Sequence, residues 1–211
     1  MRLILARHGN TFGPGDAVYR VGLNEDLPLV EKGKEQAHEV AKVLSDQAIK
    51  AIYAAPLLRT KESAQVLSDT LGLPEVILDK RLLELDYGLW GGLSDEEITE
   101  QHGSEELGAW NAHGVWPKDA CFGKSENEIV AEVTEFCNEL LSKHERDDTV
   151  YACSSNGRLR YFLTLAGLFQ EYSEQKKLKV RTGAICELVH DGHWNVLQWN
   201  VLPSEFSASF S

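Results

Sequence analysis

Apolar positions along the chain alternate between two periods. Leu3-Ile4-Leu5-Ala6 is an unbroken apolar run of the kind carried by a strand buried on both faces, and it stops at Arg7-His8-Gly9. From Glu31 to Ala48, apolar residues fall at Ala37, Val40, Ala41 and Leu44, a stripe that predicts an amphipathic helix. Ala51 to Ala55 reads as a second strand. Pro56 suits the first turn of a helix running to Leu71, stopped by Gly72-Leu73-Pro74. Val76-Ile77-Leu78 is a short third strand.

Residues 94 to 124 break the alternation. Short helices over Asp95–Gln101 and Glu105–Ala112 lead into an irregular piece holding Trp110, His113, Trp116 and Lys118. Ser125 then caps a helix with Glu128 at the capping-box position and Ile129, Val133, Phe136, Leu140 and Leu141 on one face. Thr149–Ser154 is another buried strand, and an apolar helix is expected over Arg158–Leu168. Val180–Val189 and Trp194–Asn200 read as an antiparallel pair turning at Asp191-Gly192, followed by a frayed tail from Ser204 to Ser211. Strands alternating with helices predict an α/β fold: a three-layer α/β/α sandwich on a mixed, mainly parallel sheet. One domain over 1–211 is expected, with a small cap inserted at about 93–124.

Charge and cysteine usage narrow the function. The 211 residues are 43% hydrophobic, enough to fill a core, and carry a formal charge of −12. A strongly acidic protein is not drawn to nucleic acid or to an anionic membrane, so neither is an expected partner. Met1-Arg2 leads straight into the first strand without an export signal, and no window approaches a membrane span, which predicts a cytoplasmic protein. Cys121, Cys137, Cys153 and Cys186 are widely spaced, so reduced thiols are expected rather than metal ligands or disulfides.

Candidate chemistry starts where the first strand ends. Arg7 offers a fork of donors that suits a phosphate, His8 can act as a nucleophile, Gly9 would let the backbone approach a ligand, and Thr11 adds a hydroxyl. Arg59 falls on the first turn of a helix at the carboxyl end of a strand, where free N–H groups favour an anion.

Arg7-His8-Gly9-Asn10-Thr11, together with Glu84 followed by Gly88, Trp90 and Gly91, resembles the histidine phosphatase superfamily, which includes the phosphoglycerate mutases. The resemblance covers roughly the whole chain and implies a phosphoglycerate mutase-like fold. It implies that Arg7 and Arg59 hold a phosphate, that His8 is the nucleophile and that Arg20 is a second phosphate or carboxylate contact. A carboxyl beside a phosphate can keep its proton, because the negative neighbour raises its pKa, and Glu84 is then the general acid, with Asp86 its nearest competitor. Glycines of the Glu84 loop would lie close to substrate, and the Thr182-Gly183-Ala184 backbone would bring an amide near the phosphate.

One family feature is missing. Where the family carries a second histidine after the fourth strand, this chain has Ser154-Ser155-Asn156-Gly157, so Ser155 and Asn156 can offer only neutral hydrogen bonds to the phosphate. Losing such a donor costs on the order of 10²–10³ in rate. His102, His113, His144, His190 and His193 have no spacing that brings one there. Phosphomonoester hydrolysis through a phosphohistidine, with no metal or cofactor, is the expected reaction. The short segment between Glu84 and Gly123 ranks hydrolysis above mutase-type transfer, and a silent phospho-ligand binding protein is the third possibility. Which ester is taken, and how many copies assemble, stays open.

Overall fold

The computed structural model describes residues 1–73 and 75–207. Six strands form one sheet: β1 (Arg2–Arg7), β2 (Ile49–Ala54), β3 (Val76–Leu78), β4 (Thr149–Ser154), β5 (Ile185–His190) and β6 (Trp194–Val201). Their order is β3-β2-β4-β1-β5-β6. The first four run parallel, and β5 and β6 are antiparallel additions at one side.

Alternation along the central strands assigns each side chain to a face. Leu3 and Leu5 of β1, with Val150 and Ala152 of β4, join one core, while Ile4, Ala6, Tyr151 and Cys153 join the other. The second face is covered by α1 (Glu31–Leu44), through Val40, Ala41 and Leu44, and by α2 (Leu58–Leu71), through Ala64 and Leu67. The first is covered by α5 (Glu126–Lys143), through Ile129, Val133, Phe136 and Leu140. Each fully buried Leu or Ile contributes about 1.5–3 kcal/mol relative to exposure. The fold is thus a three-layer α/β sandwich, with helices on both faces of a mixed sheet.

This topology places the loops after β1, β2 and β4 along one edge, the carboxyl edge, where open α/β sheets bind ligands. Helices α3 (Asp95–His102) and α4 (Glu105–His113) lie between the Glu84 loop and α5. Capping boxes at Ser94 and Ser125 start α3 and α5, the second as expected from its sequence.

Several boundaries differ from the periodicity. Helix α1 stops at Leu44 because the chain must enter β2 at Ile49, opposite Thr149. The expected helix over 158–168 divides into α6 (Asn156–Leu159) and a 3₁₀ segment over Arg160–Ala166. Residues 181–184 form a turn closed by the Ala184 amide donating to the Arg181 carbonyl, so β5 begins only at Ile185. Pro203–Glu205 make a 3₁₀ turn held by the ion pair of Glu205 with Arg181 at 3.1 Å, while the end of the expected frayed tail, 208–211, lies outside the described residues, as does Pro74.

Candidate active site

His8 follows β1 directly and is 5% exposed. Its backbone amide donates to the Ser154 carbonyl of β4 at 3.2 Å, and the Gly183 amide donates to the carbonyls of Arg7 and His8. Imidazole Nδ1 lies 2.7 Å from the Gly9 carbonyl oxygen. A carbonyl only accepts, so Nδ1 carries the hydrogen and Nε2 keeps its lone pair. Burial, then the nearby Arg7 and Arg59 guanidiniums, hold the His8 pKa well below the usual histidine range. His8 is a neutral base with one free nitrogen.

Arg59 is 1% exposed on the first turn of α2. Its Nη1 and Nη2 donate to the carbonyls of Glu25 and Gly22 at 2.7 and 2.9 Å. Arg7 donates from Nη1 to the Val180 carbonyl at 2.8 Å, and its Nε is buried without a partner. Among the described residues neither guanidinium is in an ion pair. Burial without a carboxylate partner lowers the pKa of both, partly offset by Glu84.

Glu84 is 5% exposed and is held by the turn after β4. The Leu85 amide donates to Oε1 at 2.9 Å and the Gly157 amide to Oε2 at 3.2 Å. Two more bonds tie the same stretches together: Ser154 Oγ donates to the Leu82 carbonyl at 2.6 Å and Arg158 Nε to the Leu83 carbonyl at 2.8 Å. Arg158 also pairs with Glu132 at 2.9 Å, and Lys124 pairs with Glu132 in turn. Lys124, exposed at the surface, thereby joins Arg158 and Glu132 in one charge network. Asn156 Oδ1 accepts from the Val180 amide at 2.8 Å, which leaves its Nδ2 hydrogens as donors. Ser155 is 1% exposed, and its hydroxyl has no partner among the described residues.

These groups meet at a cavity of about 930 Å³ on the carboxyl edge, within the range of small-molecule sites. Arg7, His8, Thr11, Arg20, Arg59, Glu84 and Asn156 line it; Ser155 lies just behind, outside the lining. Arg20 reaches the far wall, where Nη2 pairs with Asp95 at 2.9 Å and donates to Asn111 at 2.8 Å. Positive side chains on the wall (Arg7, Arg20, Lys32, Arg59, Arg160, Lys179) outnumber carboxylates (Glu84, Asp95, Glu96) in a protein of net charge −12. Asp86 is turned away, accepting from the Gly88 amide at 3.0 Å, and His102, His113, His144, His190 and His193 are not on this wall. Among the described residues no group of three or more His, Cys, Asp or Glu side chains could hold a metal ion.

Tyr87 and Arg160 are among the lining residues that the sequence does not single out. Tyr87 sits beside Glu84, with its phenol pKa raised by burial and by that carboxylate. Arg160 follows Asn156 by four residues, the helical spacing that puts both on one face, and that spacing was the available signal. The glycines act differently from expectation. A β-carbon on Gly9 would lie 2.1 Å from the Gly33 carbonyl oxygen, so its smallness serves packing against α1, not ligand approach. Gly88 likewise meets the Cys121 carbonyl at 2.0 Å, on the 93–124 segment. The Gly183 and Ala184 amides are committed to backbone carbonyls and do not reach the cavity.

Fold and hollow together define an α/β protein whose sheet edge gathers a neutral imidazole, guanidiniums and a carboxyl around an anion-sized space. The solved structure of a mycobacterial glucosyl-3-phosphoglycerate phosphatase in complex with VO3 superposes with a TM-score of 0.81 at 25% identity, covering 95% of this chain and 98% of that one. An α-ribazole phosphatase from Shigella flexneri shares the fold at a TM-score of 0.76 and 21% identity, over 96% of this chain and 98% of that one. In sequence, phosphoserine phosphatase 1 of Hydrogenobacter thermophilus is 32% identical over 146 residues, 68% of this chain and 66% of that enzyme, just under two thirds of its length. A probable phosphoglycerate mutase of Erwinia tasmaniensis is 26% identical over 209 residues, 95% of this chain and 91% of the mutase. The chain belongs to the histidine phosphatase superfamily (branch 1), whose pattern matches residues 3–202. Among the described residues no helix is long and apolar enough to cross a membrane.

Proposed function

We propose that this protein is a metal-independent phosphomonoesterase acting on a small phosphorylated metabolite through a phosphohistidine on His8. The observation that carries this reading is a buried, neutral His8 with Nε2 free, in a cavity where the Arg7 and Arg59 guanidiniums have no carboxylate ion-paired to them among the described residues. Such cations are stabilised by an anion entering from solvent.

In this reading Nε2 of His8 attacks phosphorus in line, the ester P–O bond breaks, and Glu84 gives its proton to the departing oxygen. Water then attacks the phosphohistidine, Glu84 takes the proton from that water, and the P–Nε2 bond breaks, freeing His8 and inorganic phosphate. Arg7, Arg59 and the Nδ2 hydrogens of Asn156 bind the phosphoryl oxygens, the guanidiniums supplying the charge a metal would otherwise give. Ser155 and Asn156 stand where the resemblance places the family's second histidine, so a neutral turn replaces an imidazolium. Residues 93–124 act as the cap, supported by Asp95, Glu96, Trp110 and Asn111 on the cavity wall. Four free thiols, three of them buried, fit a reducing compartment such as the cytoplasm.

The test is to quench turnover of a ³²P-labelled phosphomonoester and look for an acid-labile label on His8. Labelled His8, with release of inorganic phosphate that His8→Ala abolishes, is expected. An unlabelled protein whose turnover survives His8→Ala overturns the reading, and phosphate returned to the substrate instead of to water would make it a mutase.

A further inference from the structure

Arg160 is a buried cation with no carboxylate paired to it among the described residues. It is 5% exposed, its Nε is shut off from solvent without a partner, and its guanidinium makes no hydrogen bond or ion pair among the described residues. It lies over the Trp110 ring, its Cζ 4.3 Å from the centroid, and its Nη1 is 3.4 Å from where a β-carbon of Gly114 would be. Both neighbours belong to the 93–124 segment. Arg160 also lines the cavity, where Lys179 is exposed and has no carboxylate partner among the described residues.

Burying a lone charge is costly, and stacking on an indole returns only part of that cost. The phosphoryl group has its own donors in Arg7, Arg59 and Asn156, on the His8 side. A guanidinium free at its Nη edge and backed by an aromatic face is available to a further oxyanion in the same cavity.

We propose that Arg160 is a specificity-determining residue that binds a second anionic group, a carboxylate or a second phosphate, on the non-reacting end of the substrate. The inference rests on the phosphomonoesterase reading and deepens it: the substrate is an ester carrying a further negative charge within a few bonds of the scissile phosphate. Trp110 positions the guanidinium by stacking, and Lys179 adds long-range attraction at the entrance.

The test uses three-carbon phosphate esters that end in a hydroxymethyl group, a carboxylate or a second phosphate, with wild type, Arg160→Met and Arg160→Lys. Wild type is expected to favour a charged-ended ester over the hydroxymethyl one by about tenfold or more in kcat/KM, as a charge-assisted bond to Arg supplies. Which charged ester wins identifies the group. Arg160→Met should erase the preference and Arg160→Lys should restore part of it. The ligand-free Arg160→Met protein should also melt higher than wild type, because an unpaired buried charge has gone; an arginine with a purely structural role would give the opposite shift. Wild type without a preference, a preference that survives Arg160→Met, or an equal loss on all three esters overturns the proposal. If wild type hydrolyses none of them, the enzymatic reading has failed, and the same comparison made on dissociation constants by calorimetry still decides the role of Arg160.

Discussion

Gly157 lies against the proposed general acid with no room for a side chain. A β-carbon there would sit 2.3 Å from Glu84 Oε1, 2.6 Å from Tyr87 Oη and 3.0 Å from Leu85 Cγ. Ordinary contact begins near 3.4 Å, so in Gly157→Ala the carboxylate must retreat by about 1 Å, and a displacement of that size costs on the order of 10²-fold in a positioned catalytic group. The move also strains the 3.2 Å bond from the Gly157 amide to Oε2, which fixes the carboxylate from the other side. If Glu84 donates the proton to the leaving group, the loss must depend on that group: an alkyl oxygen needs the proton, whereas p-nitrophenolate departs without it. Steady-state kinetics should give a kcat/KM, which reports phosphoryl transfer to His8 and not the hydrolysis step shared by all esters, reduced by about 10²-fold for an alkyl phosphate and by less than about tenfold for p-nitrophenyl phosphate. Gly108→Ala, on the exposed face of α4 where a β-carbon meets nothing within 4 Å, is the control. Equal losses on both esters in a folded Gly157→Ala protein, or none, would refute Glu84 as the acid.

The lowered pKa of His8 has a worked sign. In the unfolded chain an ordinary histidine takes up a proton as pH falls through about 6.5, while folded His8 does not until lower pH, so the unfolded state binds more protons there. The contribution of His8 to stability is complete above that value and falls away as pH drops towards the folded pKa, by at most roughly 1.4 kcal/mol per pH unit; denaturant titrations of wild type and His8→Ala should differ in that slope. The acid limb of kcat/KM should likewise contain no ionisation of His8 near 6.5, and one that disappeared in step with imidazole protonation there would contradict a buried neutral nucleophile. Asn156 is the residue of the neutral turn that lines the cavity, and Asn156→His should raise kcat on a generic phosphomonoester by about tenfold to a hundredfold if that turn limits phosphoryl transfer. A folded variant that gains nothing would mean the site is organised around another donor.

Much of the site could be read from residue order because it is local. Strand β1 ends where its apolar run ends, and the residues just past it, Arg7 and His8, line the cavity. Arg59 sits on the first turn of α2, and the Ser125 capping box starts α5, each following from spacing along a few residues. The unbroken apolar runs of β1 and β4, alternating with amphipathic helical stretches, were enough to read the α/β class, since a strand covered on both faces shows no polar period.

Other features depend on what the folded chain brings alongside. Gly9 and Gly88 look like ligand-facing glycines in one dimension, and only the approach of Gly33 and Cys121 reveals them as packing positions. Residues 181–184 have strand composition, but the Ala184 amide bonds to Arg181 and shortens β5. Arg160 is one more basic residue in an apolar helix until burial removes its water and no carboxylate arrives to replace it. Residue types and their short-range periods select which elements form and which groups are chemically able. Charge state and partnership are properties of distance and desolvation, which exist only once residues remote in the chain share one hollow.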